Sequence, residues 1–139
     1  MGDNLPAIDL GTGRTATAIA AGPYHTAALL DNGTVKVWGY NNFGGLGQGN
    51  NTQIGDGSNE MGDNLSAVDL GTGRTATAIA CSYYSTIVRL DDGTIKAWGA
   101  GHYGQLGQGN TQNIGDGSGE MGDNLSPIDL SSSSDVTLE

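Results

Sequence analysis

The chain has 139 residues, enough to bury one core of ordinary size, and 36% of them are apolar, above the usual range of disordered chains. Twenty-five glycines, three prolines and a charged fraction of 14% favour tight turns over long helices. Fifteen acids against five bases leave a net charge of −10, which repels phosphate backbones and anionic headgroups and so excludes nucleic acid and membrane surfaces as partner classes.

Met1, Met61 and Met121 mark a period of 60 residues, and residues 1–60 match 61–120 at 39 positions, or 65%. The elements can therefore be read twice. "PAIDL" alternates weakly and ends in a Gly-Thr-Gly turn; "GTGRT" at Gly11–Thr15 is a turn and not a phosphate cradle, because it lacks a Gly-Lys-Ser/Thr ending and leads into a strand. "TATAIA" interleaves β-branched residues with Ala and predicts a strand packed closely on both faces. "HTAALL", or "STIVRL" in the second copy, runs into Asp31-Asn32-Gly33 or Asp91-Asp92-Gly93, a hairpin signal that calls for positive φ at both central residues. "TVKVW" and "TIKAW" return, with Val35 and Val37 on one face and Lys36 and Trp38 on the other. The Gly-rich loops "GYNNFGGLGQGN" and "GAGHYGQLGQGN" follow, each with an aromatic (Phe43 or Tyr103) and a Leu (Leu46 or Leu106) placed to plug the loop onto the sheet.

Four strands per unit, a fixed period and a Gly/aromatic signature predict an all-β chain of two four-stranded antiparallel propeller blades, residues 1–60 and 61–120. Residues 121–130 repeat the first line as an extra edge strand, and 131–139 form a polar tail. Cys81 is alone, so no intrachain disulfide is possible. The N-terminus has neither the charge nor the apolar run of a signal peptide, and no apolar stretch is long enough to span a bilayer.

Few residues suggest chemistry. Trp38 and Trp98 occupy matching positions and are expected between neighbouring blades. His25 reads as a hydrogen-bonded structural group, His102 as a solvated loop residue, and no Ser/His/Asp set is legible. The acidic loops are the one candidate metal site: Asp56, Ser58, Glu60 and Asp63, with Asp116, Ser118, Glu120 and Asp123, place hard oxygens of the kind calcium prefers. Their spacing is not that of an EF-hand, since Met61 and Met121 stand where Gly would be needed, and no other cofactor is expected.

These residues resemble the regulator-of-chromosome-condensation repeat family, whose members form seven-bladed β-propellers. The first copy carries the family pattern as Gly22, His25-Thr26, Leu29, Gly33, Trp38-Gly39 and Gly44-Gly45-Leu46-Gly47. The second carries Gly93, Trp98-Gly99 and Gly104-Gln105-Leu106-Gly107, with Ser82 for the Gly and Ser85 for the His. The resemblance implies a structural role for these residues and no catalytic one. The family's founding member is a guanine-nucleotide exchange factor for a small GTPase, with an inserted wedge and a basic tail that are not found here. A light-sensing relative uses clustered Trp, where this chain has "GPYHT".

A seven-bladed ring at this period would need about 420 residues, and two blades leave flat faces open. The expected answer is a homo-oligomer, a trimer of six blades or a tetramer of eight, acting as a non-enzymatic scaffold with a protein partner for the parent. A fragment of a guanine-nucleotide-exchange-type regulator or of another protein-interaction propeller is the alternative function, and a calcium-binding repeat module the lesser one. The near identity of the copies, the start at a repeat Met and the terminal Leu-Glu point to an engineered or excised piece of a longer repeat protein.

Overall fold

Alternation and hairpin chemistry place six strands in two sheets. A computed structural model describes residues 1–131. The first sheet is β1 (Ala16–Ala21), β2 (His25–Leu30) and β3 (Val35–Gly39), and the second is β4 (Ala76–Cys81), β5 (Ser85–Leu90) and β6 (Ile95–Gly99). Each is an antiparallel meander in chain order. The registers match between copies: Ala28 opposite Lys36 recurs as Val88 opposite Lys96. A bulge follows Ala16 and again Ala76. The hairpin differs in detail from the reading above. Only the Gly of each turn has positive φ, +81° at Gly33 and +85° at Gly93. Leu30 closes the loop by donating to the Thr34 carbonyl, so this is a three-residue turn ending in a left-handed Gly.

The expected four-stranded blade has three regular strands. "PAIDL" and its copies form no ladder; each follows a single 3-10 turn, at Gly2–Asn4, Gly62–Asn64 and Gly122–Asn124. The second and third of these lines do lie at a sheet edge, but on the sheet before their own. The Val68 amide donates to the Val35 carbonyl of β3, and Ile128 donates to Ile95 of β6, each at 2.8 Å. One backbone bond per line is too little for a regular strand, and the Pro at residue 6 or 127 removes a further donor.

Blade two sits across blade one, with β4 against β1 and β2. The shared core joins Ala27, Leu29, Val35 and Val37 from one blade to Ala76, Val88, Leu90 and Trp98 from the other, closed by Val68 and Leu70. The first blade's "TATAIA" strand departs from expectation: β1 is exposed along most of its length, Ile19 included, although β4 lies beside it. Of the four residues expected to plug the loops, Leu46 and Leu106 are buried, Phe43 is only half-buried and Tyr103 is exposed. Of the polar tail, residues 132–139 lie outside the described part.

Candidate interaction surface

The two copies differ at 21 positions, and 15 of these fall in Ala21–Leu29 against Cys81–Arg89 and Tyr40–Gln53 against Ala100–Asn113. The fold brings the β1–β2 and β4–β5 turns together with the starts of the two Gly-rich loops. They gather all five Tyr and the one Phe of the chain. Tyr24 of blade one stacks on Tyr84 of blade two, centroids 5.3 Å apart and planes 3° from parallel. Phe43 meets Tyr84 edge-on at 4.9 Å and His102 at 5.1 Å. Tyr40 leans on Tyr24 and Tyr84, while Tyr83 and Tyr103 stand at the margin, exposed.

No Asp, Glu, Lys or Arg occurs in residues 21–25, 40–45, 81–85 or 100–105. The end is therefore aromatic and uncharged on an acidic protein, rich in Tyr, Ser, Asn and Gly. Antibody binding loops have a similar composition, in which rigid rings combine with adaptable hydrogen bonds. Desolvation among the rings pushes the Tyr84 phenol above its ordinary range, reinforced by Tyr24 and Tyr40. It stays a neutral donor.

Buried polar groups hold this end rigid. The Gly45 carbonyl accepts from Thr86 Oγ1 at 2.8 Å and from Trp98 Nε1 at 2.9 Å. With the Thr86 hydroxyl committed as donor, the buried His25 ring donates Nε2–H to Thr86 Oγ1 at 2.9 Å. His25 and Trp98 are thus both hydrogen-bonded inside the buried framework. Trp38, on the outer side of blade one, is half-buried. Asn41, unmarked in sequence reasoning, is fully buried: its amide donates to Asn50 and Thr52 carbonyls, and its Oδ1 accepts the Leu46 amide. Lys36 and Lys96 were also missed. Both are buried with Nζ capped by carbonyls, Leu10 and Gly62 for one, Leu70 and Gly122 for the other. Their recurrence at one strand position was the available signal.

Burial holds His25 below the ordinary imidazole value of 6.5, against an opposing hydrogen bond to the Ser85 backbone. The unfolded chain then binds the extra proton more readily, so stability should be level above about pH 7 and fall as pH drops below 6.5. Hydrogen bonds to Thr12 and Thr72 depress Asp63 and Asp123, whose contribution is lost only at lower pH, below the usual carboxylate range. Urea titrations between pH 7.5 and 5 therefore isolate His25. The H25S variant, which installs the residue of the second copy, is expected to flatten that slope.

The acidic loops do not converge on one point. Glu60 Oε2 accepts the Gly55 and Gly57 amides at 2.7 and 2.8 Å, and Glu120 repeats this with Gly115 and Gly117. Asp63 accepts from Thr12, Asp123 from Thr72, and Asp56 from Gln53. Ser58 and Ser118 are exposed, and Asp116 packs its backbone under Gly44. Among the described residues no three Asp, Glu, His or Cys side chains gather as a metal-binding group.

Comparison with known proteins agrees with this architecture. The human E3 ubiquitin-protein ligase HERC2 is 32% identical over 94 residues, which is 68% of this chain and 2% of the ligase. The X-linked retinitis pigmentosa GTPase regulator homolog of Caenorhabditis elegans is 33% identical over 110 residues, 79% of this chain and 7% of that protein. The Arabidopsis thaliana ultraviolet-B receptor UVR8 is 32% identical over 96 residues, 68% and 20%. The chain thus spans a fifth or less of these relatives. Prp20p from Saccharomyces cerevisiae superposes with a TM-score of 0.62 at 16% identity, over 88% of this chain and 27% of that one. Human WBSCR16 gives 0.58 at 18%, over 87% and 27%. Models of the regulator of chromosome condensation (RCC1) repeat match residues 16–44, 76–105 and 92–138, and on this evidence the chain belongs to the RCC1 repeat family.

Proposed function

We propose that the chain is a non-enzymatic binding scaffold, a two-blade unit that closes a propeller ring with further copies of itself and offers its aromatic end to a protein partner. One observation carries the assembly reading. Ile87, Arg89 and Ile95 of blade two hold the register positions of Ala27, Leu29 and Val35, which blade two covers in blade one. On blade two Ile87 and Arg89 are exposed and Ile95 is half-buried. A blade-shaped face of this kind is matched by the outer side of another blade one. With two sheets per chain, three copies give six blades and four give eight.

The aromatic end supports the binding half of the reading. Prp20p is described as binding Gsp1p and histones, and a fragment of an exchange-type regulator is the second reading. Light scattering across a concentration series tests assembly: a mass of three or four chains is expected, and a monomer at every concentration would overturn it.

A further inference from the structure

The phrase Met-Gly-Asp-Asn-Leu occurs three times, and two of its three copies are seated. Residues 61–70 lie on blade one, with Leu65 2% and Val68 5% exposed. Residues 121–130 take the equivalent slot on blade two. There Gly122 donates to the Asp69 carbonyl, its own carbonyl receives Lys96 Nζ at 2.8 Å, Ile128 donates to Ile95, and the Ser126 carbonyl receives Gln108 Nε2 at 2.9 Å. Residues 1–10 pair with neither sheet, and Leu5 is 58% and Ile8 59% exposed. Yet this unseated copy already has the seated shape. Gly2, Gly62 and Gly122 have φ of +69°, +66° and +66°, and the Leu5 amide closes the same turn onto Gly2 as Leu65 does onto Gly62.

We infer that Met1–Leu10 is a preformed donor segment for the blade-two slot of a second copy, in competition with that copy's own residues 121–130. The inference rests on the ring-assembly reading and names its contact. Gly2, Asp3, Leu5 and Ile8 are the same residue types as Gly122, Asp123, Leu125 and Ile128. The donor therefore reproduces the cap on Lys96, the carboxylate that accepts from Thr72, and both apolar side chains. Residue 6 offers its carbonyl to Gln108 as residue 126 does; Pro at this position is no obstacle, since only the carbonyl is used. Seating the donor continues the existing contact between the two blades, because the strand that follows residues 1–10 is β1 of an incoming blade one. The resident segment is tethered and acts at high effective concentration. Exchange is therefore concentration-dependent, and residues 121–130 act as a stopper that sets when the ring can form.

Two glycines separate donor from resident in the full chain. A Cβ on Gly122 runs into the Asp69 carboxylate, whereas one on Gly2 meets nothing within 4 Å until the segment is seated. Gly122→Val is expected to unseat the resident segment and assemble at a concentration at least about tenfold lower than the unaltered chain. Adding Gly2→Val should return it to monomer. Light scattering gives the masses, and far-ultraviolet circular dichroism, which reports on the strands of both sheets, checks that each variant is folded. Leu125→Ala, which shortens the side chain that the resident segment buries in the shared core, should shift assembly in the same direction. Equal assembly by Gly122→Val with and without Gly2→Val, or no gain from either Gly122→Val or Leu125→Ala, overturns the inference. An unaltered chain that stays monomeric while Gly122→Val assembles upholds the donor and refutes ring closure by the unaltered chain. Assembly of the unaltered chain that Gly2→Val leaves unchanged does the reverse.

Discussion

Trp98→Ala is expected to cost about 3–5 kcal/mol, the range for truncating a fully buried aromatic, and to leave much of the chain unfolded at room temperature. The indole is fully buried between the blades. Its Nε1 donates to Gly45 across the junction, and its ring packs with Leu46, Val68 and Val88 in the shared core. The Gly45 carbonyl keeps Thr86 as a donor after truncation, so the loss is packing and cavity more than an orphaned acceptor. A two-sheet protein of this size holds only about 5–15 kcal/mol in total. Trp38→Ala, at the same repeat position with no blade against it, should cost less than half as much. Urea denaturation at a concentration where both variants are a single species decides the comparison. Equal costs would mean that the Trp stabilises its own blade and not the junction.

The second large effect is expected at Gly44. This residue has φ +79°, and a Cβ there would overlap the Asp116 amide and the Gly115 carbonyl carbon of the other blade's loop. Gly104 has nearly the same backbone, φ +74°, and open space around it. The left-handed conformation costs an L-residue about 1–2 kcal/mol at either site, and forcing two backbones apart adds about 1–3 kcal/mol. Gly104→Ala should therefore lower stability by about 1–2 kcal/mol and Gly44→Ala by about twice that. The difference measures the close approach of the loops alone. Identical losses would show that the loops part without resistance.

Much of this was legible in residue types. Period, hairpins, strand faces at Val35 and Lys36, and the plugs Leu46 and Leu106 follow from spacing and from where Gly and Asp fall. The blade boundary was not, because "PAIDL" looks the same whether it pairs forward or back, and only the Val68–Val35 bond tells the direction. The aromatic end was hidden for a related reason. Tyr24, Tyr40, Phe43, Tyr84 and Tyr103 are scattered over eighty residues, and only blade packing brings Tyr24 onto Tyr84. Phe43 reads as a plug by its place in the loop, but Leu46 already fills the core, which leaves the ring to its neighbours. The buried Lys36 and Lys96 are polar by type, and their carbonyl caps come from segments 26 residues away.

The backward placement of residues 61–70 also bears on motion. The chain leaves blade one, lies down along its outer edge with Val68 on Val35, then enters β4 with Ala76 on Gly33. The connection between the sheets is thus itself pinned to the first sheet, at Ile54 on Gly39 and Val68 on Val35. Swinging one blade against the other would have to shear those hydrogen bonds together with the Lys36 cap on Gly62. The angle between neighbouring blades is consequently a property of the covalent path, fixed before any partner arrives, and the curvature of a larger assembly is inherited from it.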